Sequence, residues 1–175
     1  SESGKKIAWV RTDYLNYCDV MIAKFNEETL SISESKSVKT CNTPYFGRTP
    51  QWKSESELLV SLPLGPHSPS GIMLIDLKSN STTILTSPDR SSKVVSERGD
   101  FNLFYNPRSK LIGYLRQNPE SNGSDLRVYD FHSKSDRLIK SFENIIFTAA
   151  WLDKDSLVLR LDRDFLKVDL DGTIS

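Results

Sequence analysis

FNLFYNPRSKLIGYLRQNPESNGSDLRVYDFHSKSDRLIKSF, residues 101–142, decides the fold. Four short runs in it, 101–106, 110–116, 125–131 and 137–142, are rich in Leu, Ile, Val, Phe or Tyr. Each is bounded by Pro, Asn, Gly, Ser or Asp, so the runs read as strands and the punctuation as turns. The turns Asn106-Pro107-Arg108-Ser109 and His132-Ser133-Lys134-Ser135 are tight, and the loop 117–124 between them is longer. The reading is a four-stranded antiparallel meander of about forty residues.

The rest of the chain repeats this unit. In the copy at 49–86, Trp52 takes the place of Tyr105 and Ser54-Glu55-Ser56-Glu57 that of the first turn. Leu58-Leu59-Val60 then stands for Leu111-Ile112-Gly113, 71–76 for 125–130 and 83–86 for 137–140. The downstream copy runs from Phe147 through Trp151, the turn Asp153-Lys154-Asp155-Ser156, Leu157-Val158-Leu159 and the segment 164–169. A partial copy, 6–10, 19–23 and 30–33, opens the chain and lacks a first strand. The expected units are 5–38, 48–87, 101–142 and 146–175. Four-strand repeats of roughly 40–50 residues are the signature of a β-propeller. The expected fold class is all-β, a propeller-like array of three fairly full blades plus a partial one. A lone four-stranded sheet cannot cover its apolar face, and stacking sheets buries a shared core. Imperfect alternation, as in Ile72 to Ile75, suits sheets packed on both faces.

The order aromatic, polar turn, apolar strand, polar loop, then apolar-x-apolar-Asp and a strand ending in Leu-Thr resembles the TolB-like repeat of the WD40-like (PD40-type) bacterial propellers. Here it stands as Trp52-Lys53-Ser54-Glu55-Ser56-Glu57-Leu58-Leu59, as Tyr105-Asn106-Pro107-Arg108-Ser109-Lys110-Leu111-Ile112, and in the closing Thr83-Ile84-Leu85-Thr86. The family's Ser-Pro-Asp-Gly turn is degenerate in every copy. The resemblance implies a fold and little chemistry, because one scaffold serves many functions.

At 175 residues the chain is long enough for a domain with a real core. Its 23 basic residues balance 23 acidic ones, which disfavours a nucleic-acid groove. No apolar run reaches the ~18–20 residues of a membrane span. The start, Ser1-Glu2-Ser3-Gly4, and the end, 171–175, read as the limits of an excised piece of a longer protein. Helix signals are nearly absent. The one candidate, 87–98, is Ser-rich and aperiodic and reads as a loop. The polar segment 31–43 reads as a connection between blades.

Strand direction sorts the loops. In a meander, loops between first and second and between third and fourth strands share one face. Loops between second and third strands, and between blades, share the other. Cys18 and Cys41 both fall on this second face, so a disulfide is allowed geometrically. It would close a loop of just over twenty residues, worth roughly 3 kcal/mol, and would place the domain in an oxidising compartment. The alternative is two unpaired thiols in a cytosolic protein. Neither spacing nor nearby His supports a zinc site.

The same face carries the longer loops: 11–17, 63–70, 117–124 and the inter-blade segments. Propellers bind through such loops, so Asp13, Tyr14, Tyr17, His67, Arg98 and Asp100 form the expected ligand- or partner-binding surface. The expected partner is a protein or a small-molecule signal, with no cofactor and no metal. Exposed edge strands would also allow a homodimer. No catalytic residues are expected. His67 and His132 lie in or beside polar turns, and no Gly-x-Ser-x-Gly elbow or phosphate-cradling glycine loop is present. Asp76, Asp130 and Asp169 recur at the end of each third strand, which argues for a turn role. Trp9, Trp52 and Trp151 read as core.

Three functions fit. The resemblance implies first a periplasmic sensory domain of a membrane-spanning bacterial regulator similar to the CadC/ToxR group. The second is the gating propeller of a prolyl-oligopeptidase-type serine peptidase, and the third a cytosolic scaffold.

Overall fold

The computed structural model describes residues 1, 3–12, 18–41, 50–65, 68–88, 99–118, 123–144, 146, 148–161 and 163–175. Among these there is no helix. The described residues hold fourteen strands in four antiparallel sheets. Sheet 1 holds β1 (Lys6–Thr12), β2 (Cys18–Asn26) and β3 (Ser31–Cys41). Sheet 2 holds β4 (Gln51–Ser54), β5 (Glu57–Pro63), β6 (Ser70–Asp76) and β7 (Ser81–Ile84). Sheet 3 holds β8 (Asp100–Asn106), β9 (Leu111–Gln117), β10 (Ser124–Asp130) and β11 (Ser135–Phe142). Sheet 4 holds β12 (Thr148–Trp151), β13 (Ser156–Leu161) and β14 (Asp164–Asp169). Each sheet is a plain meander, its strands paired in chain order. A bridge between Val168 and Ile174 begins a fourth strand on sheet 4.

Three apolar clusters stack the sheets in sequence. Val20 and Ile22 of sheet 1 meet Leu58, Val60, Leu62, Met73 and Ile75 of sheet 2. Leu59 and Ile72 of sheet 2 meet Leu103, Ile112, Tyr114 and Tyr129 of sheet 3. Phe101, Phe104, Leu115, Leu126 and Val128 of sheet 3 meet Ile146, Leu157, Leu159 and Val168 of sheet 4. The period-2 alternation of a strand explains the split. Leu58, Val60 and Leu62 point one way along β5, and Leu59 points the other. Both rows are apolar because sheets 2 and 3 are packed on both faces. The protein is thus an all-β, propeller-like array.

Polar side chains tie neighbouring sheets together. Gln51 donates from Nε2 to the Leu103 carbonyl (2.9 Å) and accepts the Tyr105 N–H (2.7 Å), imitating a strand partner for β8. The Trp151 indole donates to the Phe104 carbonyl (2.8 Å), and the Asn106 amide to the Asp153 carbonyl (2.9 Å). Trp52 and Trp151 pack half-buried against core clusters. Trp9 differs from expectation. It pairs with Met21, on the face of sheet 1 opposite to Ala8 and Val10, and belongs to none of the three clusters.

Three further sequence expectations are corrected. Residues 31–41 are not a connection but the long outer strand β3, whose exposed polar residues face water while its backbone pairs with β2. The second-strand alignment slips by one. Leu58 pairs with Ile75 and Ile112 with Tyr129, so Ile112, not Leu111, is the counterpart of Leu58. The turn 107–110 holds two more residues than the turn 55–56. Asp169 does not cap a turn like Asp76 and Asp130, since its carboxylate pairs with Lys167 at 3.0 Å. There the turn is held by Asp171, which accepts the Thr173 N–H (2.9 Å), and by Gly172 at φ 88.

Candidate functional site

The two ends of the sheets are built differently. At one end lie the hairpin turns. Asn26, Asp76 and Asp130 each end a third strand and each accept N–H groups two and three residues on, or a hydroxyl three residues on. The hydroxyls of Thr29, Ser79 and Ser133 then meet those of Ser31, Ser81 and Ser135 at 2.7–2.9 Å. The fourth turn residue is left-handed every time: Leu30 (φ 50), Asn80 (φ 55) and Lys134 (φ 53). Ser54, Asn106 and Asp153 accept turn N–H groups in the same way between first and second strands. Accepting these bonds, ahead of any other cause, holds the Asp76, Asp130 and Asp153 carboxyls below their usual range. Bonds within the turn hold each of them, and the turns at Glu55 and Asp153 also accept bonds from the neighbouring sheet.

At the other end the strands lead into the longer segments, and the base of each such segment is clamped. Cys18 and Cys41 face each other across β2 and β3 and are joined by a disulfide. Both are buried. Beside them Asp19 gathers all three strands of sheet 1. It accepts from Arg11 Nη2 (2.5 Å), Thr40 Oγ1 (2.7 Å) and Ser37 Oγ (3.1 Å). The Arg11 hydrogen bond, then that of Thr40, holds the Asp19 carboxyl below its ordinary pKa. Within sheet 2, Leu64 N–H donates to the Pro69 carbonyl (3.2 Å) and closes the base of the loop between β5 and β6. In sheet 3, Asn118 N–H donates to the Gly123 carbonyl (3.1 Å), and Ser141 Oγ to Asp125 Oδ1 (2.7 Å).

The most elaborate clamp spans residues 86–100, the connection from sheet 2 to sheet 3. Thr86 Oγ1 accepts the Ile72 N–H (3.0 Å) and donates to Asp100 Oδ2 (2.5 Å). Ser61 Oγ donates to the Asp100 carbonyl. Gly99 (φ 53) lies so close to Ser70 that a Cβ there would sit 2.3 Å from the Ser70 carbonyl oxygen. Arg116 grips Asp100 with Nε (2.5 Å) and Nη2 (3.0 Å). Its Nη2 also reaches the Tyr114 hydroxyl at 3.5 Å. That hydroxyl donates to Asp136 Oδ2 (2.7 Å), which also accepts from Arg127 Nε (2.7 Å). The line Asp100–Arg116–Tyr114–Arg127–Asp136 crosses all four strands of sheet 3, with its charges paired.

Burial pushes the Asp100 carboxyl up, against the pull of Arg116 and Thr86. Burial also works against the Arg116 charge, but its bonds and attraction to Asp100 prevail and keep it firmly protonated. Burial pushes the Tyr114 hydroxyl far up, so it stays a donor. These groups hold two sheets in place.

Of the residues expected on the recognition surface, Asp13, Tyr14, Tyr17, His67 and Arg98 lie outside the described residues. Asp100 is corrected: its side chain is 0% exposed and braces the base of a rim segment from beneath. Sequence reasoning missed Asp19, Thr86, Asn118, Asp125 and Arg116. Their common signal is a polar residue within a residue or two of a strand's rim end, where an apolar one would serve the core. Among the described residues no group of three or more His, Cys, Asp and Glu is placed to hold a metal ion.

No protein-family model matches this chain, and neither does a curated protein. Solved structures do. A puromycin-hydrolyzing peptidase of Mycobacterium tuberculosis superposes with a TM-score of 0.73 at 16% identity, over 100% of this chain and 27% of that one. TolB from Acinetobacter baumannii gives 0.70 at 15% identity, over 98% of this chain and 41% of that one. The extracellular domain of a putative one component system of B. thetaiotaomicron gives 0.57 at 14%, over 97% and 23%. The chain therefore spans well under half of each of these proteins. At such identities the likeness is one of architecture, and with the stacked meanders it makes the fold a TolB-like β-propeller.

Proposed function

We propose that the chain is a non-catalytic recognition module whose binding surface is the loop-bearing rim. It serves as the extracytoplasmic sensory or interaction domain of a membrane-bound bacterial regulator and takes a protein partner or a small-molecule signal. One observation carries this reading. Every longer segment at the rim leaves from a base fixed by a disulfide, a buried ion pair or a backbone bond, whereas the turns at the other end are short and are held by bonds within themselves and to the adjacent sheet. Rigid bases carrying variable loops are how scaffolds build recognition surfaces. The Cys18–Cys41 disulfide supports an oxidising compartment. The likeness to TolB and to an extracellular one-component domain agrees with that location.

The test compares the two ends. A photo-crosslinking amino acid is placed at Asp13 or His67 of the expected rim surface, and at Lys78 or His132 on the turns, of the natively expressed protein. The reading expects one discrete adduct from the rim positions, lost on replacing Tyr14 and Tyr17 together by Ala, and none from the turns. Adducts from the turn positions alone would refute it.

A second reading rests on the peptidase likeness, which covers the whole chain. The chain would then be the gating propeller of a prolyl-oligopeptidase-type serine peptidase, with its nucleophile in another domain. Labelling of the natively expressed protein by a fluorophosphonate probe would select this reading, and no labelling the first.

A further inference from the structure

We propose that the two hairpin turns of sheet 3 form a contact surface for an anionic phospholipid bilayer. The turns, 106–110 and 130–135, carry Arg108, Lys110 and Lys134, all exposed. They leave from adjacent strand pairs, two strand spacings or about 10 Å apart. At about 0.1 M salt their charges therefore act within one screening length of each other. Among the described residues none of the three side chains enters an ion pair or a hydrogen bond. The carboxylates of the same and the adjoining turns are engaged. Asp130 accepts the His132 N–H and the Ser133 hydroxyl. In sheet 4, Asp153 accepts the Asp155 and Ser156 N–H groups, and Asp155 pairs with Lys154. In sheet 2, Glu55 and Glu57 pair with Lys6 and Lys53. A chain with 23 basic and 23 acidic residues thus gathers unpaired positive charge at one spot.

The backbone points the same way. Lys110 (φ 56) and Lys134 (φ 53) stand at left-handed turn positions, where Gly or Asn fits at lower cost. Sheet 2 has Asn80 at the position of Lys134. Neither lysine side chain makes a bond among the described residues that accounts for its place there. The surface is convex, made of two turn tips with long charged side chains. Such tips lay charge against a broad anionic surface, whereas an acidic peptide needs a groove with fixed donors. In the membrane-bound domain proposed above, this contact turns the rim away from the bilayer. It uses none of the rim residues, so the two readings fail separately.

Flotation of this chain with vesicles of phosphatidylglycerol and phosphatidylcholine, and with vesicles of phosphatidylcholine alone, tests the contact. Binding should be confined to the first kind and should fall steeply with added salt. Each basic side chain at an anionic surface is worth about fivefold in partitioning, so changing Arg108, Lys110 and Lys134 together to Gln should lower it about a hundredfold. All three positions are exposed, so thermal melts should show the variant folded. Removing the same charge in and beside sheet 1, as Lys5→Gln, Lys36→Gln and Lys39→Gln, should leave most of the binding. Equal partition into both kinds of vesicle, indifference to the triple variant, or an equal loss in the sheet 1 variant would each overturn the proposal. Retention on soluble polyglutamate with none on the vesicles would overturn it in favour of an acidic peptide.

Discussion

Replacing Asp100 by Ala tests the clamp between sheets 2 and 3. The Asp100 side chain is fully buried and that of Arg116 is 17% exposed. Removing the carboxylate takes away both Arg116 bonds and the Thr86 hydroxyl bond at once. It strands a mostly buried guanidinium whose remaining polar contacts are the Tyr114 hydroxyl and the more distant Asp136. Breaking a buried pair by deleting one partner costs about 3–5 kcal/mol. A chain of this size has roughly 5–15 kcal/mol to lose. The corresponding fall in melting temperature is roughly 6–20 °C. Urea unfolding followed by tryptophan emission measures it, because Trp52 and Trp151 pack on the clusters that flank sheets 2 and 3 and report the global transition. The double variant Asp100→Leu with Arg116→Met should recover most of the loss, since exchanging both partners for apolar groups of similar size is nearly neutral. A cost under about 1 kcal/mol for Asp100→Ala in a cooperative transition, or a double variant worse than the single, would show that the pair does not hold the interface.

Four further outcomes are expected. Gly113→Ala should cost about 1–3 kcal/mol, because a Cβ there would sit 2.0 Å from Cε2 of Phe104, whose ring packs edge-on against Trp151; Trp151 emission should shift with it. Replacing Cys18 and Cys41 by Ser should cost about 3 kcal/mol for a cross-link spanning 23 residues, and native protein should resist alkylation after mild reductant until it is unfolded. Hydrogen bonds hold Asp19 below its unfolded pKa, so its contribution is complete above the unfolded value and is lost as pH falls through the folded one; Asp19→Asn should lower stability at neutral pH and flatten the acid limb of a denaturation series. Leu30 is 77% exposed with φ 50, so Leu30→Gly should stabilise by up to about 1 kcal/mol in thermal melts, while Asn80→Gly changes little.

The repeat was legible because each unit signals itself locally. A tight polar turn between Tyr105 and Ile112, or between Asp130 and Ser135, needs no partner from elsewhere in the chain. What was not legible depended on a neighbour. Leu111 and Ile112 are both aliphatic, so nothing in their identity says which faces sheet 2, and the turn length that decides it appears only once the strands pair. Asn26 does the work of Asp76 and Asp130, yet a search for a recurring Asp passes over it. Asp169 matches that search and does something else, because Gly172 makes the turn without it. Asp100 lies beside a long polar segment and looks solvated. Only the approach of Thr86, Ser61 and Arg116 shows that it is inside.

The contrast between the two ends has a physical consequence for what can vary. At the turn end, Asn26, Asp76 and Asp130 spend their acceptors within a few residues of themselves, and the left-handed fourth position leaves little choice of backbone. Substituting any of those acceptors costs stability without offering a partner anything new. At the rim the satisfied groups lie beneath the segments. Asp19, Asp100 and Asp125 are bonded to strands, and Asp100 and Asp125 also to Thr86 and Asn118 at the first residues of the connections. The clamp between sheets 2 and 3 described above is closed by Ser61, Ile72, Thr86, Asp100 and Arg116, all outside 89–98. Exchanging the whole segment 89–98 for a Gly-Ser sequence of equal length should therefore leave the unfolding midpoint within about 0.5 kcal/mol of the parent while abolishing any adduct that segment forms. A loss as large as that expected for Asp100→Ala would mean that the segment itself, and not its base, holds sheets 2 and 3 together.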